Sequence, residues 1–579
     1  MDNMIEDSGR RRRRKRQKEE AAGSAVFELR RTPFDLWMVL FLLSLVVSAW
    51  LSFAPRLAFV KFWMGLAAVV LFYGVTAVSR QRAWGVAAWG GPLAAFWALL
   101  FVALGKTGLS WAIISRVPVL GWWLVEMRRF WPLLLPHPNV VGGLIALFVP
   151  FGLAFGWVAW REKRRRWVWV TAVSLLLALA GLLLTRSVGA WLALALGLGV
   201  WWCWPVAEWL AVRLRLPRGW VYGLLLALFG LGAMGGVWLL VAFQLPGGDA
   251  FAQRWELAVG AGKLVQDFPL AGSGLATFAP LYAEYVRIVP NFFVGYSNFY
   301  LDLWLEMGPF GLLCVLAVWL GSGVRLGRSL KWGAAAEPAA RSSLWLLRWA
   351  TLASWVVAVV HGLLDDALFG GLGTPLLFVT PAMAVLVTRR KHQEGMGQWW
   401  KRRGLVWGLA GLVLLLVLGV VGQRPLRAQW AAAVGARTMD GYWLIRWPMD
   451  VWRTPQNTVL PEESVLLFEQ ALALEPGNRT ARQRLAMMAW VERDWDTAVV
   501  HLQAAQAEDE THRGITKLLG YTYVWLGQLD EAERLLVTIP EAAREMEAYT
   551  NWWQRWEQPE QAAYAEEMRV RLGGVRREE

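Results

Sequence analysis

Apolar runs of about twenty residues recur along the whole chain, and that is the length a helix needs to cross a bilayer. They fall at 36–53, 62–79, 84–105, 139–160, 167–185, 188–212, 219–245, 303–324, 344–364, 374–388 and 404–422. In hydrocarbon every backbone N–H and C=O must be paired inside the protein, so such runs fold as helices. Composition agrees: 56% of the 579 residues are hydrophobic and only 18% are charged, whereas a soluble chain of this length carries more charge. The expected fold class is all-α, a polytopic membrane protein of about eleven transmembrane helices. The 41 Trp fit belts at headgroup level, so a single Trp is read first as an anchor.

The formal charge of +15 is read by position. A basic block, RRRRRKRQK at 10–18, precedes the first run, and further basic clusters lie at 79–82, 161–166 (REKRRR), 213–218 (RLRLPR), 325–341 and 389–403. They alternate with loops at 54–61, 106–138, 185–187, 247–302 and 365–373, most of them poorer in Lys and Arg. That alternation follows the positive-inside rule with a cytoplasmic N-terminus. The basic charge therefore orients the chain in the lipid bilayer and touches anionic lipid; nucleic acid is not expected as a partner. The chain divides into a basic cytoplasmic tail (1–34), a transmembrane domain (35–423) with a large extracytoplasmic loop at 247–302, and an extracytoplasmic tail (424–579). The location expected is the inner (plasma) membrane, multi-pass. Cys203 and Cys314 sit inside apolar runs, so no disulfide framework is indicated.

The tail contains a repeat. Ser464, Ala498 and Ala532 are spaced by 34 residues, and Phe468, Leu502 and Leu536 keep the same interval. Trp495 and Leu529 match, as do Asp496 and Asp530. Small residues at that period let paired helices pack closely, and ALALEPGN (471–478) and LGYTYVWLGQLDEAERLL (519–536) resemble parts of a tetratricopeptide repeat. An α-helical stack from about 460 to 540 is expected, with a protein partner possible on its concave face.

The loop at 247–302 is the longest stretch between two spans that is not itself apolar enough to be one. Apolar residues from Phe251 to Val265 share one face, with Arg254, Glu256 and Lys263 interspersed, which predicts an amphipathic helix able to lie at the interface. Pro269 and Gly272-Ser273-Gly274 end it; a Gly-rich turn of this kind offers backbone N–H groups that can bind an anion. Ser297-Asn298 can cap the next span, whose first turns carry Asp302 and Glu306 on one face. The chain has no P-loop, no HExxH, no GxSxG in a strand–helix setting and no Cys/His cluster, so neither a metal nor a cofactor is expected. Sparse ionisable residues inside the spans, chiefly Arg348 and His361, disfavour an ion-coupled transporter.

QRWELAVGAGKLVQDFPLAGSGLATF followed by YSNFYLDLWLEMGPFGLL resembles the signature of the bacterial O-antigen ligase/polymerase family. HPNVVGGLIALFVP (137–150) resembles that family's Pro-Asn-x-x-Gly span start, and LLTRSVGAWLALALGLGV (183–200) resembles its Ser-Arg-Gly-Ala-Trp span. The resemblance covers about residues 35–390, and a repeat-bearing tail is similar to that of many members. It implies a metal-independent membrane glycosyltransferase that moves a glycan from undecaprenyl pyrophosphate to the hydroxyl of a glycan or glycolipid acceptor in cell-surface polysaccharide assembly. Arg254 matches the family's loop arginine and would contact the pyrophosphate. Two departures stand out. Val188 occupies the family's Arg position after Ser187, with Arg186 two residues earlier, and Ser297 replaces the His that precedes Asn298 at the lip of the following helix. The candidate substrate-binding residues are therefore Arg254, Arg186, Ser297 and Asn298. Because serine is no base near neutral pH, Asp302, Glu306 and His361 are the candidate catalytic groups, with His137 a further possible base. His361-Gly-Leu-Leu-Asp365 also resembles a family element. The alternatives are an O-antigen or capsule polymerase, and a catalytically altered envelope scaffold acting through its repeats.

Overall fold

The computed structural model describes residues 31–104, 137–244, 248–288, 296–333, 343–389, 422–447 and 458–578, and among them it contains helices and no strand. Eight helices are long and apolar enough to cross a membrane: α2 (Pro55–Ala77), α3 (Arg80–Leu104), α4 (Pro138–Arg161), α5 (Arg165–Thr185), α6 (Val188–Leu214), α7 (Arg218–Ala242), a helix over Phe299–Leu330 and one over Ser343–Leu364. Two of the eleven expected spans form shorter apolar helices, α1 (Asp35–Leu51) and one over Thr374–Thr388. The span expected at 404–422 lies, but for Gly422, outside the described residues, as do the basic block at 10–18 and most of the loop at 106–138.

α4 is the centre of the bundle, with 78% of its apolar window buried, whereas none of α7's window is. Lipid gives helices no hydrophobic reason to associate, so close contact rests on small residues. Gly152 of α4 faces the backbone of Gly91 in α3, and Gly181 of α5 faces Ala98 of α3. α5 reverses into α6 through two residues. Arg186 takes a left-handed conformation, and the Ser187 side chain accepts the N–H of Ala190 to cap α6.

The helices have two distinguishable ends. At one lie Arg161, Arg165 and Arg213, and Arg80 and Arg389 bind carbonyls across it, Arg80 that of Arg389 and Arg389 that of Thr76. At the other lie the loop over 248–288 and the tail. The loop opens with α8 (Gly248–Asp267) and ends in a π-helical turn, Tyr282–Arg287. α9 (Phe299–Gly333) follows and is broken at Gly308, whose backbone (φ 69°, ψ 178°) only glycine adopts readily, just before Pro309. The carbonyls freed there are not stranded. Ser48 Oγ donates to the carbonyl of Glu306, the N–H of Ser273 to that of Leu305 (2.6 Å) and the N–H of Gly274 to that of Glu306 (3.2 Å). α10 (Ser343–Leu364) and α11 (Val379–Thr388) complete the bundle.

Among the described residues the tail is four helix pairs: α12 (Gln423–Trp443) with α13 (Glu462–Leu474), α14 (Arg479–Glu492) with α15 (Trp495–Glu508), α16 (Arg513–Trp525) with α17 (Leu529–Leu536), and α18 (Ala542–Arg555) with α19 (Pro559–Glu578). Ser464, Ala498 and Ala532, with Phe468, Leu502 and Leu536, are all fully buried where the second helix of a pair meets its neighbours. The stack extends past the expected 460–540 at both ends. The first pair is separated by a long connection, and the last helix falls one residue out of the 34-residue register, with Ala565 rather than residue 566 buried.

Candidate functional site

The site begins where three elements end. His137 precedes α4, with Pro138 in the first helical position, and its Nδ1 accepts the N–H of Asn139 (3.3 Å) and meets the Tyr296 hydroxyl (2.5 Å). Because Nδ1 accepts, the neutral His137 ring carries its proton on Nε2. Burial lowers the pKa of His137 and raises that of the Tyr296 phenol, so both are neutral near pH 7. His361 lies in the last turn of α10 with its ring against Gly143, where a β-carbon would sit 2.6 Å from ring carbon Cε1. His361 Nε2 is buried and has no hydrogen-bond partner among the described residues. The His361 ring lines a narrow cavity walled by Gly143, Phe299, Ala367 and Leu368.

One helical turn on, Asp365 takes an ion pair from Arg254 of α8, Nη2 to Oδ2 at 2.7 Å, with side chains 21% and 4% exposed. Arg254 and Asp365 both influence the titration of His137, His361 and Tyr296, so the five groups form one electrostatic neighbourhood. Asp366 follows, fully buried, with Oδ1 accepting the N–H of Leu368 (3.2 Å) and Phe369 (2.6 Å). Burial pushes its carboxyl up to about 7.

The remaining expected residues divide. Asp302 accepts the backbone N–H of Ser297 (2.8 Å) and its hydroxyl (2.7 Å), and Asn298 Oδ1 accepts the N–H of Leu301 (3.1 Å), which caps α9. Ser297, Asn298 and Asp302 are all buried. Glu306 is buried and ion-paired to Lys61 of α2 at 2.7 Å; Lys61 also lies 3.8 Å over the Phe369 ring. Glu306 ties the start of α9 to α2, while Asp302 holds the turn that leads into α9. Arg186 is exposed at the tip of the α5–α6 turn and has no ion pair among the described residues. Its neighbours place it at the same end as Arg254: Ser187 lies against Gly142, and Gly189 against Leu364. Gly272-Ser273-Gly274 is not an open anion cradle, since the N–H groups of Ser273 and Gly274 are given to the break in α9 and a β-carbon on Gly274 would meet the backbone of Ser52.

Sequence reasoning passed over Tyr296, although it directly precedes Ser297, and over Lys61 and Asp366. Asp365 entered only as part of a motif. Their roles depend on contacts between distant spans that no local spacing reveals.

The expected helix forms as α8, and the C-terminal half of its apolar face is buried against protein. Ala261, Leu264 and Val265, with Phe278, Tyr282, Tyr285 and Val286, share one core with the tail. The π-helical turn lies against the first helices of the repeats. Gln483 donates to the Tyr285 carbonyl (3.0 Å), Lys517 to that of Arg287 (2.7 Å), and Arg484 lies 3.0 Å over the Tyr285 ring. Gly514 has to be glycine there, because a β-carbon would fall 2.0 Å from the Tyr285 oxygen.

A tetratricopeptide-repeat family profile matches residues 489–551, which cover α15 to α18 in whole or large part. No curated protein and no solved structure matches the chain. The tail thus carries tetratricopeptide repeats, a fold that commonly binds proteins.

Proposed function

We propose that this protein is a membrane glycosyltransferase of the O-antigen ligase type, moving a glycan from undecaprenyl pyrophosphate to an acceptor hydroxyl at the extracytoplasmic face. One observation carries the reading: Arg254, on a helix outside the bundle, meets Asp365 one helical turn from His361, whose Nε2 has no hydrogen-bond partner among the described residues. Transfer needs a base for the hydroxyl proton and a cation for the departing diphosphate, and both groups stand there. In the reaction the acceptor oxygen bonds to the anomeric carbon while the bond from that carbon to the diphosphate oxygen breaks. The hydroxyl proton passes to His361 Nε2. Undecaprenyl pyrophosphate leaves with its charge held by Arg254, whose guanidinium forks onto phosphate oxygens. Arg186, exposed at the same end, supplies a second cation. Asp365 keeps Arg254 aimed before substrate arrives. Asp302 and Glu306, each already committed to a buried partner, position α9 and take no proton. A polymerase differs only in having another glycan as acceptor.

The test is transfer by the full chain in nanodiscs, with an undecaprenyl-pyrophosphate glycan as donor and a native membrane-lipid fraction as acceptor. Arg254→Ala and His361→Gln should each lower transfer by roughly a hundredfold or more while keeping the wild-type elution profile. Full activity in both removes the site assignment. The repeat match favours a second reading, an envelope scaffold, and an inert wild type with a stoichiometric protein partner would support it.

A further inference from the structure

A second cavity lies away from the site just described. It is an open cleft of about 540 Å³ between α8 and the repeats, within the size range of small-molecule sites. One wall is Trp255, Glu256 and Lys263 of α8; the facing wall is the turn from α15 into α16 and the end of α17. We propose that this cleft binds a saccharide chain, with the Trp255 indole stacked on a sugar face and Gln506, Glu510 and Thr511 taking its hydroxyls.

Four observations converge. Trp255 is 74% exposed. An anchoring indole faces headgroups, but Trp255 looks across at repeat helices, so its flat face is offered to a ligand. The cations of the cleft are already matched: Lys263 to Asp509 at 2.6 Å, Arg513 to Glu256 at 2.7 Å and Arg534 to Glu531 at 2.8 Å. A polyanion therefore meets no surplus charge, whereas a neutral polyhydroxy ligand meets an amide, a carboxylate and hydroxyls. Two buried donors at the cleft lack acceptors among the described residues, Arg513 Nε and His512 Nε2. His512 Nδ1 accepts the N–H of Ile515 (3.2 Å), so the neutral ring carries a proton on Nε2 that a hydroxyl or ring oxygen satisfies. Finally, Trp255 adjoins Arg254. Successive helical residues are about 1.5 Å apart along the axis and point about 100° apart, so one helix presents its cation to Asp365 and its indole to the cleft. A glycan whose diphosphate sits at Arg254 would run out past Trp255. The identity of that glycan rests on the transferase reading; the cleft's preference for sugar does not.

The experiment uses the full chain in nanodiscs and saturation-transfer NMR. The probes are glycan released by mild acid from the lipid-linked pool of native membranes, a neutral dextran oligosaccharide series and, as the rival class, a random dodecapeptide library. Wild type should bind at least one saccharide. Trp255→Ala should weaken that binding at least tenfold and Glu510→Gln measurably, with Trp220→Ala, an exposed indole on α7, binding as wild type. Binding of no saccharide, equal binding by Trp255→Ala, or peptide binding in its place overturns the proposal. Glycan transfer that is undiminished in Trp255→Ala, with no saccharide bound, sinks the cleft and leaves the transferase standing. Cleft binding without any transfer does the opposite.

Discussion

Arg254 reaches Asp365 from a helix outside the bundle, so its guanidinium is exchangeable in a way that Lys61 on Glu306 is not. Lys61 and Glu306 are 11% and 3% exposed. Two predictions follow at this scale. Arg254→Lys keeps the charge but loses the planar fork, and kcat/KM for glycan transfer should fall about tenfold; Arg254→Ala should cost roughly 10²–10³, the usual range for losing a preorganised charge partner. Initial-rate assays check both variants, and wild-type activity in Arg254→Lys would mean that the fork is irrelevant. The second concerns His512. Burial, helped by the nearby Arg479 cation, lowers its pKa from 6.5 to about 3. The unfolded chain therefore binds a proton that the folded tail refuses, and stability is lost as pH falls from about 6.5 toward 3. His512→Asn keeps the cap on α16, since Asn is a good N-cap, and removes the titration. Its melting temperature should fall less between pH 7 and pH 5 than that of wild type, and parallel curves would show that His512 does not drive the acid loss.

Among the elements, α9 shows how a polar feature survives in a helix long and apolar enough to cross a membrane. Gly308 breaks it, and Ser48, Ser273 and Gly274 take up the carbonyls. Any other residue at φ 69° is strained, and a β-carbon there would lie 2.8 Å from the Leu270 oxygen. Gly308→Ala should destabilise the protein by about 1–3 kcal/mol, read as a lower melting temperature in detergent, and an unchanged melt would mean that the break relaxes freely. Much at this scale was legible in the chain. Ten of the expected spans coincide with apolar helices because run length alone encodes them. The positions at 34-residue spacing, Ala498 and Ala532 among them, point inward because the period sets helix pairing. The start of α9 was legible as well, with Asn298 as its cap. What escaped was long-range. Gly308-Pro309 reads as punctuation, but only Ser48 and the Gly272–Gly274 turn make the break tolerable. α8 has the amphipathic pattern of a surface helix, and its apolar face is satisfied equally by lipid or by a protein core. Composition cannot choose between those two when much of the protein core is supplied by the distant tail.

At the scale of the whole molecule, the repeat tail and the Arg254 helix are one body. Their shared core is ringed by ion pairs, Lys263 with Asp509, Arg479 with Asp267 and Arg513 with Glu256. The repeat surface that could recruit a peptide already holds the chain's own Tyr282–Arg287 turn, so the tail's first task is intramolecular: it fixes α8, and with it the aim of Arg254. Lys263→Glu places like charges together at a site where the two side chains are only 16% and 12% exposed. It should loosen the junction, and adding Asp509→Lys should restore it. Hydrogen exchange would read this as faster exchange in 256–266 and 479–525 together, with α4 to α6 unchanged, reversed in the double variant. Transfer should fall and recover in step, because Arg254 is carried on the released helix. If exchange rose only beside residue 263, the tail would be a passenger on the loop and the positioning role would fail.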